Sequence, residues 1–327
     1  MPGWGIDVLL LWLGAWVLLV QAPCVTASTT IAPGISLVPG AAVAGSQPDG
    51  NSIIIDAPEG LVVVDTGRHV EHTRQIIEFA TARGRPVRAI INTHWHLDHV
   101  GGNVLLRARY PDAQIYASSA IDDALGGFLA TYRKQLETVL ARPETSAQEA
   151  GSLRAEVALI DSGPALRPTR VISRSGSRDI AGRPLEIHLE RAAVTAGDVW
   201  IFDRKTRVLI SGDLVTLPAP FLDTACPERW ARALGRLAAE RFEWLVPGHG
   251  APMRAMDLAT YRTAFEHLLA CSGDRQRPQE ECVEGWLNDG ARLIPDADRA
   301  YSRTLLQYYI GTVLRGDPAK LAKLCEV

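Results

Sequence analysis

The chain has 327 residues, of which 47% are hydrophobic and 22% are charged. This length suits one large domain or two modest ones, and this composition excludes a disordered or a collagen-like chain. The net charge of −3 provides no field that would gather nucleic acid or an anionic membrane surface. The remaining class of function is chemistry on a small molecule, so a small-molecule substrate is the expected partner. The oligomeric state is not predicted.

The first residues predict a secretory signal. Residues 8–20 form an apolar run that is shorter than the roughly 20 residues of a membrane-spanning helix. Val25-Thr26-Ala27 follows with the small residues of a peptidase site, so we expect cleavage after Ala27 and a periplasmic or secreted protein. No Lys or Arg precedes the run, which leaves an uncleaved N-terminal anchor as the alternative.

The middle of the chain alternates strand and helix signals. Apolar, β-branched runs predict strands, and the spacing of apolar residues over residues 68–83 predicts a helix. Residues 118–160 have helical spacing throughout, which predicts one long amphipathic helix followed by a second from Ser146 to Leu159. The expected strands are residues 52–56, 61–65, 87–92, 114–116, 185–190, 198–203 and 208–211. Strands mixed with helices indicate a layered α/β fold.

The C-terminal third is predicted to be mainly helical, over residues 228–242, 257–270 and 299–315. Four cysteines remain after cleavage, and an oxidising compartment would allow three pairings of them. Cys271 and Cys282 bracket a polar loop between two helical stretches, which favours that pair and leaves Cys226 with Cys325. Free thiols are the alternative.

The segment Thr93-His94-Trp95-His96-Leu97-Asp98-His99 carries the strongest chemical signal. It places three imidazoles and a carboxylate within six positions, directly after a predicted strand. Residues two apart project to the same side of an extended backbone, so His94 and His96 can reach one metal ion. Asp98 and His99 follow where the chain turns, and can face a second point. Neutral imidazole and carboxylate ligands suit zinc.

These residues resemble the metallo-β-lactamase-fold hydrolases, and the likeness spans residues 53–270. Val62 to Gly67 (VVVDTG) resembles the family's strand-ending Asp, which is structural rather than a ligand. Ser211-Gly212-Asp213 resembles the position of the bridging Asp, and Pro247-Gly248-His249-Gly250 that of the last His ligand. The resemblance implies a four-layer αββα sandwich, with a metal site of His94, His96, Asp98, His99, Asp213 and His249.

One ligand of the family pattern is missing. The family motif G-H-T-x-G-D corresponds here to Ala193-Val194-Thr195-Ala196-Gly197-Asp198, so Val194 stands where the His is expected. His94 and His96 alone make a weak site, which favours one Zn²⁺ ion, bound by Asp98, His99 and His249 with Asp213, over two. His188 lies too far along its strand to replace the missing ligand, while Glu190 and Asp198 stay as less favoured substitutes.

The resemblance implies an exported zinc-dependent hydrolase in which metal-bound hydroxide attacks an ester, lactone, thioester or amide carbonyl, with Asp98 and Asp213 catalytic. A nearer likeness is to the exported quinoprotein-relay-type zinc metallohydrolases. Phe221, on the segment after Asp213, is a weak candidate for a substrate contact. A degenerate, weakly or non-catalytic accessory protein is the main alternative, and an iron oxidoreductase or a β-lactamase is less favoured. The expected domains are residues 1–27 (signal), 28–270 (catalytic domain, helical insertion about 118–160) and 271–327 (helical extension).

Overall fold

The computed structural model describes residues 28–41 and 47–326, so the predicted signal segment, with its cleavage point after Ala27, lies outside the described residues. The chain forms two compact units. The first contains Leu37–Ile55 and Gly60–Val171, and the second contains Thr30–Ser36, Asp56–Glu59 and the chain from Ile172 onward. Among the described residues, no helix has the length and apolarity needed to cross a bilayer.

Seven strands form the first sheet, in which the spatial order is the chain order. Pairing is parallel from the fourth strand to the seventh, so the carboxyl ends of these strands meet at one edge. Four of the runs predicted as strands lie here, and those at residues 52–57, 60–64 and 87–91 are almost entirely buried, as in a sheet covered on both faces. The strands are β1 (Thr29–Ala32), β2 (Ile35–Val38), β3 (Ser52–Ala57), β4 (Gly60–Val64), β5 (Val87–Ile91), β6 (Gln114–Ala117) and β7 (Arg170–Val171).

Helices follow the strands of the first unit. Helix α1 (Val70–Ala82) buries Ile76 and Ala80 against β4 and β5, which is the face that the apolar spacing predicted. A short helix α2 (Leu97–Val100) and a longer α3 (Asn103–Arg109) follow β5. The loops after β4 and β5 therefore lie at the same edge of the sheet, and the second of them carries the His-rich segment.

The helical insertion is present, but its first part is two helices rather than the one long helix expected. Helix α4 (Ala120–Gly126) ends at Gly127, whose φ of −109° and ψ of −97° are not helical, and α5 (Phe128–Leu140) begins after it. Two successive glycines weaken the helix at this point. Helix α6 (Ala147–Asp161) starts where predicted, since the Ser146 side chain accepts a hydrogen bond from the backbone of Glu149, and α7 (Gly163–Leu166) follows.

The second unit contains a five-stranded sheet in the order β12-β11-β10-β9-β8. Strands β8 to β11 pair antiparallel, and β12 pairs with β11 in parallel. The strand β8 was not predicted, because its sequence GSRDI has little apolar character. The strands are β8 (Gly176–Ile180), β9 (Arg183–Glu190), β10 (Asp198–Asp203), β11 (Val208–Thr216) and β12 (Trp244–His249).

The C-terminal part of the second unit is helical, as predicted. Its helices are α8 (Pro227–Ala239), α9 (Ala255–Gly273), α10 (Gln279–Asp289), α11 (Arg299–Tyr309), continued by a π-helical turn at Ile310–Leu314, and α12 (Pro318–Cys325). Disulfides join Cys226 to Cys325 and Cys271 to Cys282, which is the favoured pairing. The predicted α/β class, with two sheets, a helical insertion and a helical C-terminal region, is thus confirmed.

Candidate metal centre

The His-rich segment leaves the sheet at the end of β5 and brings two imidazoles together. Nε2 of His94 lies 2.9 Å from Nδ1 of His96, and both side chains are buried. The hydroxyl of Thr93 lies 3.0 Å from Nδ1 of His94, so it fixes the orientation of that ring. The centroids of the two rings are 4.4 Å apart, so the imidazoles two residues apart do lie together, although the chain bends at His94.

Asp65 holds this segment from the neighbouring parallel strand. It follows β4 with a positive φ of 58°, and its carboxylate accepts hydrogen bonds from the backbone N–H of Thr93 at 2.8 Å and from the Thr93 hydroxyl at 2.7 Å. Its Oδ2 also lies 2.8 Å from Nδ1 of His99. Burial raises the pKa of the Asp65 carboxyl, while His99 and the two Thr93 hydrogen bonds oppose this rise.

Asp98 and His99 lie on α2 and form a second pair of donor groups. Oδ2 of Asp98 is 3.6 Å from Nε2 of His99, and both residues are buried. Gly50 is needed beside them, because a Cβ atom at that position would lie 2.5 Å from the imidazole of His99. The imidazole of His99 therefore fits in this position because Gly50 has no side chain.

Three residues that the sequence analysis missed surround Asp98. Nη2 of Arg68 lies 3.4 Å from Oδ1 of Asp98, and Nη1 of Arg68 forms an ion pair with Glu156 of α6. Burial and the Glu156 carboxylate raise the pKa of the neighbouring Tyr132 of α5, while Arg68 opposes this rise. Arg68 directly follows the VVVDTG motif and could have been noticed for that reason. No sequence pattern around Glu156 or Tyr132 marks either of them as a site residue.

In the second unit, Asp213 and His249 form a third pair of donor groups. Nε2 of His249 is 3.6 Å from Oδ1 of Asp213. Asp213 lies on β11 beside Gly212, whose φ is 52°, and the parallel register with β12 shifts on both sides of Gly212. A Cβ atom on Gly248 would lie 1.9 Å from Oδ1 of Asp213, so the Pro-Gly-His sequence is required for these strands to bring the two side chains this close.

Val194 offers no ligand atom, and its backbone N–H and carbonyl groups both form hydrogen bonds within the protein. The side chain is completely buried, its backbone N–H donates to the Asp198 carboxylate at 3.0 Å, and its carbonyl accepts from Thr224. The same carboxylate accepts from the backbone and the hydroxyl of Thr195. Burial raises the pKa of Asp198 to about 7, against the effect of these hydrogen bonds. Asp198 therefore holds the turn that carries Val194.

The other substitutes considered for the missing imidazole also have partners. Glu190 accepts from the indole of Trp200 and forms an ion pair with Arg236. The ring of His188 stacks on that of Trp200 with centroids 3.6 Å apart, and burial lowers its pKa. Structural roles also account for the remaining imidazoles of the described chain: His69 with Asp49, His72 with Ser52, and His267 with Asp289.

Phe221 lies on the segment that follows β11 and is partly exposed. Its ring contacts that of Tyr309 on α11 edge to face, with centroids 5.7 Å apart. The neighbouring Asp223 accepts a hydrogen bond from the Tyr308 hydroxyl at 3.3 Å. The segment is thus packed against the C-terminal helical region of the same unit, which supports one side of Phe221.

The donor groups fit a divalent cation. Ligand atoms about 2.0–2.2 Å from a tetrahedral zinc ion lie roughly 3.4 Å from each other. The separations of 3.6 Å in the Asp98–His99 pair and in the Asp213–His249 pair are close to that value. Imidazole nitrogen and carboxylate oxygen are ligands that suit zinc. Within each unit, one pair of donor atoms is therefore spaced as two ligands of a divalent cation would be.

Comparisons with known proteins find relatives that are named as a sulfatase and as a hydrolase. The linear primary-alkylsulfatase of Pseudomonas sp. (strain ATCC 19151) is 27% identical over 265 residues, which cover 74% of this chain and 48% of that protein. The hydroxyacylglutathione hydrolase of Thermosynechococcus vestitus (strain NIES-2133 / IAM M-273 / BP-1) is 58% identical over 36 residues, covering 11% of this chain and 14% of that protein. The chain thus spans about half the length of the first relative and a small part of the second.

A solved structure shows the same fold. The metallo-beta-lactamase from Pontibacter korlensis superposes with a TM-score of 0.52 at 21% identity, covering 73% of this chain and 98% of that one. The sequence model of the "Metallo-beta-lactamase superfamily" matches residues 46–268, which is more than half of the chain and includes every candidate ligand. The chain belongs to the metallo-beta-lactamase superfamily.

Proposed function

We propose that the protein is an exported, zinc-dependent hydrolase with one principal metal ion. The observation that carries this proposal is the 3.6 Å spacing of the donor atoms in the Asp98–His99 and Asp213–His249 pairs. Both pairs lie within the residues that match the superfamily. In the proposal, the zinc ligands are Asp98, His99 and His249, with Asp213 as fourth or bridging ligand.

His94 and His96 take a different role in this proposal. Because Val194 replaces the third imidazole of the family pattern, these two residues make only a weak site for a second ion. Their nitrogens lie 2.9 Å apart, which is also a hydrogen-bonding distance, so the pair can share a proton. We assign them to proton transfer or to stabilising the oxyanion of the substrate.

The residues around the proposed ligands prepare them for binding. When bound, zinc supplies an activated water nucleophile at neutral pH and polarises the scissile carbonyl. Asp65 accepts a hydrogen bond from Nδ1–H of His99, which leaves the lone pair on Nε2, the nitrogen near Asp98. Thr93 does the same for the ring of His94 through its hydroxyl. The chain thus orients its imidazoles before any ion arrives.

The proposed substrate is a small molecule with an ester, lactone, thioester or amide bond. The names of two relatives widen the range of tests: one is called a linear primary-alkylsulfatase and the other a hydroxyacylglutathione hydrolase. Phe221 is the proposed apolar contact, because it lies shortly after Asp213 and Tyr309 supports its ring. The two disulfides support a periplasmic or secreted location, since such bonds persist in oxidising compartments.

Two measurements on the same preparation test the proposal. Plasma mass spectrometry on protein purified without chelator should find about one zinc per chain, and a screen of chromogenic esters, lactones, thioesters, β-lactams and alkyl sulfates should find hydrolysis. His249→Ala should lose both, while His267→Ala, which removes an exposed imidazole paired with Asp289, should lose neither. Absence of zinc from the wild-type protein after incubation with excess zinc would end the proposal.

The buried Val194 favours a second candidate, a degenerate metal-binding protein with little or no activity. Val194→His separates the two. A tuned one-metal hydrolase should take up a second zinc in this variant and lose part of its existing activity. A degenerate protein should instead gain hydrolysis together with metal. Val199→His, at a fully buried position at the start of the adjoining strand β10, controls for the disturbance caused by an imidazole in the core.

A further inference from the structure

A buried ionic contact connects the helical insertion with the proposed ligand Asp98. The guanidinium of Arg68 lies between two carboxylates: Asp98, at 3.4 Å, and Glu156 of α6, with which it forms an ion pair. The side chains of Arg68, Asp98 and Glu156 are only 11%, 11% and 9% exposed. Solvent therefore screens this group of charges weakly, and each charge acts strongly on the others.

Both the main chain and the helical insertion hold Arg68 beside Asp98. The backbone N–H groups of Arg68 and His69 both donate to Asp49, at 2.6 and 2.9 Å. From the insertion, Tyr132 lies near both charged groups, since Glu156 raises the pKa of its hydroxyl and Arg68 lowers it. Arg68 is thus held through its backbone by Asp49 and through its guanidinium by the ion pair with Glu156.

Arg68 has two opposing effects on a cation bound near Asp98. Its hydrogen-bonding approach to Oδ1 orients the carboxylate so that Oδ2 lies on the side of His99, 3.6 Å from Nε2. Its positive charge, however, repels a divalent cation at the same place. Glu156 removes this second effect, since the Arg68–Glu156 pair carries no net charge. The orientation is retained and the repulsion is offset.

We propose that Glu156 is a positioning residue that sets the affinity of the Asp98–His99 pair for a divalent cation by neutralising Arg68. This inference rests on the proposed function, because it assumes that Asp98 and His99 bind the ion. It makes the helical insertion part of the metal centre through charge, beyond any role as a scaffold. Phe128 of α5 packs against Trp95, with ring centroids 5.5 Å apart, so the insertion also contacts the His-rich segment directly.

The test compares zinc dissociation constants of the full chain, measured by competition with a chromophoric chelator. Glu156→Gln keeps the shape of the side chain and leaves Arg68 uncompensated, so zinc binding should weaken about tenfold or more. The double variant Arg68→Gln/Glu156→Gln removes both charges and should recover most of that loss. A merely structural role of Glu156 predicts no such recovery, because the double variant is damaged further.

Asp161→Asn is the matched control. Asp161 lies on the same helix and pairs with Arg133 at 2.6 Å, but this pair is exposed and does not involve Asp98. Zinc affinity of this variant should equal that of the wild type. Equal affinity of Glu156→Gln and wild type, or equal weakening in Asp161→Asn, would overturn the inference and leave the proposed function standing. A wild-type chain that binds no zinc would overturn both. Circular dichroism of each variant confirms that the comparison is made on folded protein.

Discussion

The carboxylate of Asp65 lies 2.8 Å from Nδ1 of His99, and neither side chain is more than 1% exposed. Asp65 follows one parallel strand and His99 lies in the connection after the next, so the fold brings them together across 34 positions of sequence. With Nδ1–H donating to the carboxylate, Nε2 is the unprotonated nitrogen of His99. The pair thus selects the tautomer that can bind a metal ion.

Asp65→Asn tests this selection. The side-chain amide would donate to Nδ1 of His99, which would move the proton to Nε2 and block its lone pair. Because outer partners of ligating imidazoles contribute strongly to affinity, we expect zinc binding to weaken about 10- to 100-fold. A competition titration with a chelator measures this. Asp203→Asn, which breaks another buried carboxylate pair with Arg183, should lower stability and leave zinc affinity unchanged; a similar loss of affinity in both variants would contradict the prediction.

Gly248→Ala tests the packing between β12 and Asp213. The new Cβ would lie 1.9 Å from Oδ1 of Asp213 and 2.8 Å from the backbone of Gly212, so at least one strand must shift. We expect a stability loss of about 1–3 kcal/mol from overpacking, with a marked loss of zinc and of any hydrolysis. Urea denaturation and metal analysis measure the two effects.

Gly285→Ala provides the comparison for this variant. Gly285 lies inside α10, and a Cβ atom there would meet nothing within 4 Å. Replacing an interior helical glycine by alanine should stabilise the protein by about 0.5–1 kcal/mol and leave metal content unchanged. Normal zinc content in Gly248→Ala would show that the close approach of β12 to Asp213 is not needed for binding.

Features formed by residues close together in the sequence could be predicted, whereas contacts between residues far apart in the sequence could not. The segment from His94 to His99 is local, so its spacing alone indicated the donor groups, and the Cys271–Cys282 pair was indicated by the loop that it brackets. Arg68 and Glu156 are 88 positions apart, and no pattern along the chain connects them. The break at Gly127 was missed because apolar spacing continues across it, although the backbone there is not helical. Local spacing therefore predicted the candidate ligands and the core faces, whereas the charged residues behind the candidate ligands required the three-dimensional structure.

The two disulfides should contribute unequally to stability. Cys226 and Cys325 close a loop of 99 positions, whereas Cys271 and Cys282 close one of 11. In the chain-entropy description, the longer loop stabilises by about 4.7 kcal/mol and the shorter by about 2.8 kcal/mol. Cys226→Ser/Cys325→Ser should therefore lower the free energy of unfolding by about 2 kcal/mol more than Cys271→Ser/Cys282→Ser, as measured by urea denaturation. The opposite order would mean that native packing, rather than loop closure, dominates both bonds.

Asp223 should make the protein less stable as the pH rises. Burial raises the pKa of its carboxyl from 3.8 to about 7, against the effect of the Tyr308 hydrogen bond. The folded state therefore retains a proton that the unfolded chain has already released between about pH 4 and 7. The stabilisation from the neutral carboxyl is fully present below pH 4 and disappears as the pH rises through 7. Since Asp223 is partly exposed, we expect its contribution to fall by about 2 kcal/mol between pH 5 and 8.

Asp223→Asn isolates this contribution from that of the histidines, which titrate in the same range. The amide is neutral at every pH and can still accept the Tyr308 hydrogen bond, so the variant should lack the Asp223 part of the pH dependence. Urea denaturation of both proteins at pH 5 and 8 should show nearly equal stability at pH 5 and a more stable variant at pH 8. A constant difference at the two pH values would mean that Asp223 is ionised throughout, and that the segment between β11 and α8 tolerates a charge against the aromatic residues of α11.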